Sequence, residues 1–427
     1  MVKPKNSPLV SVIRSDLCTG CGTCTLCPRG QVALILNEHR GIYQPHIGDN
    51  CNGCGYCLKL CPGKSVNFRQ LSDGIFADQP TVYGVGHHIH CYTGQSSDSG
   101  IRFNASSGGI ATQILICALD AGIIDGALVT RMSRENPLRP EPFIARTKEE
   151  IINASGSKYC PVPTNVLLKE VISSGCSRIA VVGLPCHIHG VRAAERLEHA
   201  LRERIVLHIG LFCHATRTFA ATRFQLKRMN IKLEDVDRIA YRGDGWPGYM
   251  TVVLKDGRVE KVPREKYYDS LFSSFTPWRC TTCIDDTAEL ADVSLGDAWL
   301  PGVSRKNNPG TSLIITRTPI GDSIVRQMAD LGLANLESRD ISIVRQSQKG
   351  LGRKRLYSTW VLLYKLMNKK APIYDYPPGL PGPTVFSYAA VVSIAIRIAL
   401  SSRERLWGLL KVYDWMLNRL KNVRRDH

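Results

Sequence analysis

The sequence predicts a chain of mixed class, α+β at its N-terminus and α/β in its centre, followed by a helical tail. Half of the 16 cysteines lie within the first 61 residues, as expected of a small domain built around metal ligands. The centre alternates short apolar strands with turns and helices, the pattern of a sheet covered by helices. After Pro383, apolar residues recur at helical spacing among arginines and lysines.

Length and composition limit the class of protein. At 427 residues the chain is long enough for two or three domains. Its 44% hydrophobic and 22% charged residues indicate a globular protein rather than a disordered one. Residues 1–17 contain several charges and no apolar segment of the kind found in signal peptides. We therefore expect a cytoplasmic protein whose cysteines bind metal rather than form disulfides.

The first eight cysteines form two runs that each end in a Cys-Pro pair. The second run reads C-x2-C-x2-C-x3-C-P, the spacing that surrounds a cubane iron–sulfur cluster. In this motif three thiolates hold one cluster and the fourth reaches across to the other. The spacing therefore predicts two [4Fe–4S] clusters with crossed ligands. One set is Cys18, Cys21, Cys24 and Cys61, and the other is Cys51, Cys54, Cys57 and Cys27.

Two considerations bear on this ligand assignment. Zinc is the alternative metal, since it takes paired C-x2-C motifs that are well separated in sequence. The third cysteine of each run and the repeated Cys-Pro pair do not suit a tetrahedral ion. In addition, two residues separate Cys24 from Cys27, whereas three separate Cys57 from Cys61. Cys27 therefore comes one residue early, which leaves the fourth ligand of the second cluster open.

The centre of the chain has the pattern of a parallel α/β sheet. Residues 106–122 predict a serine-capped helix stopped by Gly122, and Asp256-Gly257 predicts the turn of a hairpin. Strands are expected at 126–130, 178–183 and 205–212, and helices at 148–154, 165–173 and 188–201. In such sheets chemistry gathers at the C-terminal ends of the strands, and Cys186 and Cys213 fall there.

Four further cysteines can be brought together by this sheet. Cys186 and Cys213 follow strands, while Cys280 and Cys283 form a C-x2-C loop. From the residues alone, a third cluster, a zinc site and coincidence all stay open. The remaining cysteines are expected to be buried free thiols; they are Cys91, Cys117, Cys160 and Cys176.

Seven short motifs, taken in order, resemble the coenzyme F420 hydrogenase/dehydrogenase beta-subunit family, and the resemblance runs from about Cys18 to Arg345. The motifs are Ser106-Ser-Gly-Gly109, Gly156-Ser-Lys-Tyr159, Gly183-Leu-Pro-Cys186, Gly210-Leu-Phe-Cys213, Tyr241-Arg-Gly-Asp-Gly-Trp-Pro-Gly248, Cys280-x2-Cys283 and Leu295-Gly-Asp-Ala-Trp299. That family is similar in architecture to the plant 7-hydroxymethyl chlorophyll a reductases and to ferredoxin-dependent vinyl reductases.

The resemblance implies a domain order and two kinds of cofactor. A two-[4Fe–4S] ferredoxin-like domain is expected at residues 1–70. A mixed α/β flavin-binding domain in two parts, 85–175 and 176–345, is expected next, followed by a basic helical tail at 346–427 for which we identify no family counterpart. FAD is the implied flavin, with a third [4Fe–4S] cluster held by Cys186, Cys213, Cys280 and Cys283.

Candidate residues for the flavin follow from the same resemblance. Ser106, Ser107, Gly108 and Gly109 open a helix whose free N–H groups suit the flavin pyrophosphate. Ser157, Lys158 and Tyr159 are expected beside the flavin, where Lys158 would meet phosphate or polarise the ring and Tyr159 would stack on it. His187, next to Cys186, is the candidate catalytic residue as a proton donor, with His189 and His214 as competitors; the alternative is that His187 only forms a supporting hydrogen bond beside the ligand.

Together these features predict an oxidoreductase. Iron–sulfur clusters pass single electrons, and a flavin converts these to hydride transfer. We expect exchange of electrons between ferredoxin-like carriers and a small-molecule hydride acceptor such as coenzyme F420 or an unsaturated biosynthetic intermediate. The alternative is a non-catalytic electron-relay subunit of a larger hydrogenase or dehydrogenase complex.

The net charge of +18 predicts a negatively charged partner. The basic residues are spread widely, with denser groups at 353–355 and 403–425, and no nucleic-acid-binding signature accompanies them. A redox partner or an anionic membrane is therefore expected rather than nucleic acid. Residues 386–400 are too short, and with Arg397 too charged, for a membrane span. A final helix is expected to pack on the protein or to form a basic amphipathic anchor; its apolar face is Leu406, Leu409, Leu410, Tyr413, Met416, Leu417 and Leu420.

Overall fold

The computed structural model describes residues 7–76, 81–300, 309–348, 351, 356–375 and 382–423, with side chains up to Arg419. The predicted basic segment 353–355 and the side chain of Leu420 lie outside the described residues.

The N-terminal region combines short helices with small strand pairs. Its elements are α1 (Leu9–Arg14), β1 (Val32–Asn37), β2 (Ile42–Ile47), α2 (Tyr56–Lys59), β3 (Ser65–Val66), α3 (Phe68–Ser72), β4 (Thr81–Val82) and β5 (Gly86–His87), with a 3-10 turn at Thr23–Leu26. Strands β1 and β2 form an antiparallel hairpin in which Val32 pairs with Ile47. The predicted cysteine ligands lie before and after this hairpin, in loops except for Cys24 in the 3-10 turn and Cys57 in α2. The hairpin therefore separates the two runs.

The central region contains the main sheet and a smaller one. Its elements are β6 (His90–Ser96), α4 (Ser99–Asn104), α5 (Ile110–Asp120), β7 (Gly126–Met132), β8 (Pro140–Ala145), α6 (Lys148–Asn153), α7 (Leu168–Ser173), β9 (Ile179–Gly183), α8 (Pro185–Glu195), α9 (His199–Arg204), β10 (Ile205–Leu211), α10 (Phe219–Arg228), β11 (Val236–Ala240), β12 (Tyr249–Leu254), β13 (Val259–Pro263), α11 (Arg264–Tyr267), α12 (Ser270–Ser274), α13 (Trp278–Thr281), β14 (Val293–Asp297), β15 (Ser312–Thr316), α14 (Pro319–Asp330), β16 (Ala334–Arg339) and α15 (Ile343–Ser347), with 3-10 turns at Thr164–Leu167 and Leu233–Asp235.

The tail adds α16 (Tyr357–Leu366), β17 (Ile373–Tyr374), α17 (Val385–Ser401) and α18 (Trp407–Val423), with a 3-10 turn at Glu404–Leu406. It returns to the N-terminal region, because β17 pairs in parallel with β3. Within the described residues no helix is long and apolar enough to cross a membrane.

The main sheet is mixed rather than parallel. Its strand order is β16-β6-β15-β14-β10-β9-β7-β8. The neighbours among β7, β9, β10 and β14 pair in parallel, and all other neighbours pair antiparallel. Seven residues separate β7 from β8, and a parallel crossover needs a dozen or more. These two strands therefore pair as an antiparallel hairpin, with Ala127 opposite Ala145.

Side chains of β9 alternate between the two faces of this sheet. Ala180 joins the apolar core beneath α5 and α14. Ile179 and Val181 join the core beneath α7 and α8, which also includes Leu26 and Leu60 of the N-terminal region. The cysteine-rich region is therefore packed against the same sheet face as α8, the helix that begins next to Cys186.

Several predicted elements end or begin elsewhere. The predicted helix 188–201 begins earlier, at Pro185, whose fixed backbone angle and missing N–H suit the first helical turn, and it divides into α8 and α9. The hairpin predicted at Asp256-Gly257 is confirmed by the pairing of β12 with β13. The serine cap predicted for the helix at 110–120 is wrong, because its N-cap residue is Gly109 in a left-handed conformation and no side chain caps it. Gly122, predicted to stop it, lies just past its end.

Candidate functional site

The first predicted set of cysteines is brought together in the structure. Burial, followed by the charges of Cys61 and Cys21, raises the pKa of the Cys18 thiol. Burial also raises the pKa of Cys24, with the charges of Cys21, Cys18 and Cys61 acting in the same direction. The charges of these four thiols therefore reach one another, and one of the four, Cys61, comes from the second run, as the crossed arrangement requires.

The second predicted set lies together as well. Burial raises the pKa of Cys57 to about 11, and Cys27, Cys51 and Cys54 add to the shift. All four residues line one small cavity. The early position of Cys27 in the sequence does not keep its side chain away from this group.

A third group forms where the main sheet meets the N-terminal region. Burial raises the pKa of Cys186, and the charges of Cys21, Cys213, Cys283 and Cys280 raise it further. The backbone N–H of Cys213 donates to the Asp286 carbonyl at 3.0 Å, which holds the end of β10 against the Cys280–Cys283 loop. The four cysteines are thus neighbours, and Cys21 connects them to the first set.

Arg279 joins the loop of this third group to the N-terminal region. Its guanidinium is 4% exposed and donates to the carbonyls of Pro62 at 2.8 Å and Gly63 at 3.2 Å. Gly63 is required here, because a Cβ at this position would lie 2.2 Å from the Leu17 carbonyl oxygen. The spacing between the first and third cysteine sets is therefore fixed by a buried, hydrogen-bonded contact.

The donor chemistry of these sets fits clusters better than single ions. Among the described residues, no three His, Cys, Asp or Glu side chains converge closely enough to hold one metal ion. In a four-iron cluster each of four thiolates is bonded to its own corner of the core, so the sulfurs stand farther apart. Thiols whose ionisation is opposed by burial and by one another need a positive centre to become ligands, a charge that the iron of a bound cluster would supply.

A cavity of about 340 Å³ opens beside the third cysteine set. Its volume is within the range of small-molecule and cofactor sites. The predicted site residues that line it are Ser106, Ser107, Gly109, Ser157, Lys158, Tyr159, His187 and Cys213. Gly108 lies behind this wall, where a Cβ would come within 2.5 Å of the Gly94 carbonyl oxygen.

The serines of the loop before α5 bind the backbone of other segments. The Ser106 hydroxyl accepts from the Ser157 N–H at 2.7 Å, and the Ser107 hydroxyl donates to the Thr311 carbonyl at 2.8 Å. The first turn of α5, including Ile110, Ala111 and Thr112, lines the cavity without a side-chain cap. Its N–H groups and the positive end of the helix dipole are therefore available to an anion.

Lys158 and Tyr159 form the adjoining wall. The Lys158 ammonium donates to the carbonyls of Ala154, Ser155 and Gly156 at 2.6, 3.0 and 2.8 Å, so its three N–H groups are all in use. Burial lowers the pKa of Lys158 to about 8. The side chain therefore acts on a bound anion through its charge.

Arg242 is a cavity residue for which the sequence indicated no role. Its guanidinium is nearly fully buried, pairs with the Asp297 carboxylate at 3.1 Å and donates to the Tyr159 hydroxyl at 3.0 Å and to the Ser106 carbonyl. Its Nε is buried with no hydrogen-bond partner in the described structure. Arg242 thus holds the loop before α5 and Tyr159 together at the cavity.

Arg264 was also missed, although it lines the same cavity. Its guanidinium lies over the rings of Tyr268 at 4.6 Å and Trp299 at 4.7 Å. Arg242 and Trp299 belong to motifs quoted above, but nothing in the sequence signals that they line one cavity. The guanidinium of Arg242 binds a carboxylate 55 residues away, a contact that only the fold brings about.

The three candidate histidines differ in what their rings contact. His187 donates from Nε2 to the Val162 carbonyl at 2.9 Å and accepts at Nδ1 from the Leu184 N–H at 3.1 Å. Burial lowers its pKa to about 4. His189 pairs with Asp285 at 2.8 Å away from the cavity, whereas His214 lines it and contacts Gln348 at 3.2 Å. With both nitrogens bonded to the main chain, His187 has no free proton to transfer in this arrangement.

Family models match three consecutive parts of the chain. Residues 91–169 match the N-terminal part and residues 176–341 the C-terminal part of the coenzyme F420 hydrogenase/dehydrogenase beta subunit. The chain belongs to this family. Residues 11–69 match a 4Fe–4S dicluster domain, so this oxidoreductase family member carries an iron–sulfur electron-transfer domain. The resemblance and the fold class predicted from the sequence are confirmed.

Individual proteins to which the chain is similar also belong by name to an F420 hydrogenase and an F420H2 dehydrogenase. The coenzyme F420 hydrogenase subunit beta of Methanothermobacter thermautotrophicus is 31% identical over 273 residues, 63% of this chain and 89% of that protein. One of the subunits of the F(420)H(2) dehydrogenase of Methanosarcina mazei is 27% identical over 340 residues, 75% of this chain and 85% of that protein. A chain of the F420-reducing [NiFe] hydrogenase complex from Methanosarcina barkeri shares the fold, with a TM-score of 0.55 at 24% identity, covering 69% of this chain and 98% of that chain.

Proposed function

We propose that this protein is an FAD- and iron–sulfur-dependent oxidoreductase that moves electrons between a ferredoxin-like one-electron partner and a hydride acceptor in the cavity. The observation that carries the proposal is the position of Cys213. It lines the cavity and is also a neighbour of Cys186, whose thiol is in turn a neighbour of Cys21. The cysteine sets therefore form a continuous series from the N-terminal region to the cavity wall.

We assign one [4Fe–4S] cluster to each of the three cysteine sets. In the proposal, the first two are held by the crossed N-terminal sets, including Cys27, and the third by Cys186, Cys213, Cys280 and Cys283. The third set has the same donor chemistry as the other two, and Arg279 fixes its loop to the backbone that follows Cys61.

FAD is assigned to the cavity. It would supply the exchange between single electrons and hydride pairs. The uncapped first turn of α5 offers N–H groups to its pyrophosphate, and Lys158 and Arg242, which also line the cavity, add positive charge. Ser106, Ser157 and Tyr159 position this wall through the bonds that Arg242 and the loop backbone make with them. His187 is assigned a positioning role, since its ring ties β9 and α8 to the Val162 carbonyl.

The hydride acceptor is proposed to be coenzyme F420 or an unsaturated biosynthetic intermediate. Relatives are named as subunits of F420 hydrogenase and F420H2 dehydrogenase, which supports a deazaflavin acceptor and a place in a larger complex. The second candidate function, a relay subunit without its own acceptor, is favoured by the same names. Turnover separates the two. The enzyme should reduce F420 alone when given reduced ferredoxin, whereas a relay requires its partner subunits.

Exposed side chains on α17 and α18 of the tail favour a peripheral contact with an anionic membrane. Large apolar side chains stay exposed along one stripe of α17, where Val392 is 51% exposed, and along α18, where Trp415 is 58% exposed. On the apolar face of α18, Leu410 is buried whereas Leu409 and Met416 are exposed, so packing on the protein covers only part of this face. Exposed patches of this kind mark interaction surfaces.

Charge favours a lipid surface for this patch. The two acidic residues between 382 and 419, Asp414 and Glu404, pair with Arg397 at 2.8 Å and Lys227 at 3.1 Å. Among the described residues, the exposed basic residues Lys411 and Arg419 on α18 form no ion pair, as an interfacial amphipathic helix requires. We therefore propose a cytoplasmic protein that rests on the membrane through α17 and α18.

The cofactor assignment is tested by anaerobic purification and analysis of iron, acid-labile sulfide, zinc and released flavin. The proposal expects about 12 irons per chain, the sum of three four-iron clusters, and one FAD. About 8 irons with FAD would remove one cluster from the assignment. Zinc without flavin would reject the proposed oxidoreductase mechanism.

A further inference from the structure

A buried polar link connects Cys21 to the helix that begins beside Cys186. The Thr23 hydroxyl oxygen lies 3.2 Å from the Cys21 sulfur. The Asn165 side-chain amide donates to that hydroxyl at 2.8 Å and to the His187 carbonyl at 2.9 Å. Thr23 and Asn165 are both 0% exposed, so water does not compete for these bonds.

The partners fix the direction of each hydrogen bond. The His187 carbonyl can only accept, so the end of the Asn165 side chain that faces it is the NH2 group. That group has a second proton, which it gives to the Thr23 oxygen. A hydroxyl carries one proton, and the Thr23 oxygen is already accepting from Asn165. Cys21 as a thiolate ligand has no proton to give, so the Thr23 O–H donates to the sulfur.

The surrounding backbone is shaped to allow this contact. A Cβ at Gly190 of α8 would lie 2.2 Å from the Thr23 hydroxyl oxygen and 2.9 Å from the Asn165 amide nitrogen. A Cβ at Gly22 would lie 2.6 Å from the backbone nitrogen of Val166. Glycine at both positions lets the Cys21 loop and α8 approach the same buried amide.

We propose that Thr23 tunes the reduction potential of the cluster held by Cys18, Cys21, Cys24 and Cys61. Hydrogen bonds to cluster sulfurs are among the groups that set such potentials. A donor at sulfur stabilises the more negative, reduced cluster, so Thr23 makes this cluster easier to reduce. Cys21 is the ligand of this set that neighbours Cys186, so the effect falls on the cluster next to the third one. The inference rests on the cluster assignment made above.

Potentiometric titration of the anaerobic holoprotein, followed by electron paramagnetic resonance, tests this role. Thr23→Val keeps the shape of the side chain but removes the donor. It should lower the reduction potential of one cluster by about 59 mV. For a one-electron couple, this shift corresponds to a roughly tenfold smaller equilibrium constant for reduction. Thr23→Ser keeps the donor and should stay near the wild-type potential.

Asn165→Ala distinguishes tuning from packing. It removes the buried amide but leaves the Thr23 hydroxyl, so the potential should change less than in Thr23→Val. An equal change in the two variants, or an unchanged potential in Thr23→Val with full iron, would overturn the proposal. If Thr23→Val lacks iron, Thr23→Ala replaces it in the titration. Iron loss from both would also overturn the proposal, since the hydroxyl would then serve cluster binding rather than tuning. A wild type without these clusters would instead reject the cluster assignment.

Discussion

The thiols of Cys21 and Cys186 lie close enough that the charge of one raises the pKa of the other. The first belongs to the N-terminal cysteine-rich loops and the second to the first turn of α8 in the sheet domain. Their proximity joins two parts of the chain that the sequence keeps far apart. In the proposed function, this is the point at which electrons cross from the dicluster domain to the cavity.

Replacement of Cys213 should remove the third cluster without disturbing the other two. Cys213→Ser is expected to lower the iron content by about four per chain, the content of one cubane. The matched control is Cys176→Ser, since Cys176 is a buried free thiol outside the three sets. Iron and sulfide analysis of both variants measures the effect. Full iron content in Cys213→Ser would exclude Cys213 as a ligand.

A carboxylate placed at the first turn of α5 should expel the flavin. Ala111 lines the cavity, and Ala111→Asp would put negative charge where the pyrophosphate is proposed to bind. We expect FAD affinity to fall at least about tenfold, about 1.4 kcal/mol. The thermal stability of the apoprotein should stay equal or rise, since acids suit a helix N-terminus.

Ile320→Asp is the control for this variant, because it adds the same charge to the first turn of α14, outside the cavity-lining set. Flavin released per chain and the melting temperature are the two measurements. Wild-type FAD content in Ala111→Asp would place the pyrophosphate elsewhere.

Flavin binding should weaken as the pH rises through about 8. Burial lowers the pKa of Lys158 from 10.5 to about 8 in the folded protein without flavin. Above that pH the wall loses a positive charge, and an anion binds less well. The FAD dissociation constant is expected to increase roughly tenfold between pH 7 and pH 9, the change that a rise of about one unit in the Lys158 pKa on FAD binding would produce. Fluorescence titration measures it.

Lys158→Met should abolish this pH dependence, while Lys148→Met, an exposed lysine of α6 paired with Asp120, should keep it. Apoprotein stability should respond with the opposite sign. Between about pH 8 and 10.5 the unfolded lysine is protonated and the folded one is not, so the contribution of Lys158 to stability rises with pH. A wild-type pH profile in Lys158→Met would contradict the role of this charge.

The tail should bind anionic vesicles. Trp415→Glu and Leu409→Glu place charge on the exposed stripe of α18 and are each expected to reduce vesicle binding roughly tenfold, the scale of losing one buried apolar side chain. Flotation with phosphatidylcholine vesicles, with and without phosphatidylglycerol, measures it. Leu331→Glu is the control, since Leu331 is 61% exposed at the end of α14. Equal binding of the wild type to vesicles with and without phosphatidylglycerol would contradict the proposal. Self-association of the protein through the same stripe would also contradict it.

Local spacing indicated which cysteines belong together in the N-terminal region, but it did not indicate the arrangement of the sheet. C-x2-C motifs and their Cys-Pro pairs are short-range features, and the structure brings together each set that they indicated. The sheet became mixed because loop length, and not strand composition, decides whether β7 and β8 run parallel. The serine cap failed for a related reason, since Ser106 and Ser107 bind Ser157 and Thr311, which are distant in sequence.

Polar contacts between residues far apart in the chain could not be predicted from the sequence either. Arg242 could be recognised as part of a motif, but its ion pair with Asp297 depends on how β14 meets the loop after β11. The exposed stripe of α18 could not be distinguished from a buried one, because apolar spacing is the same whether a helix packs on protein or on lipid.

The most direct test of the account is flavin reduction by reduced ferredoxin in Cys186→Ser, followed by stopped-flow absorbance. In the proposed route, the electrons of a protein donor pass through the cysteine sets to the flavin. We expect the wild-type flavin to bleach rapidly and the variant, which retains FAD and the two N-terminal clusters, to lose this phase while dithionite still reduces its flavin. Flavin reduction at the wild-type rate in Cys186→Ser would contradict the proposed route.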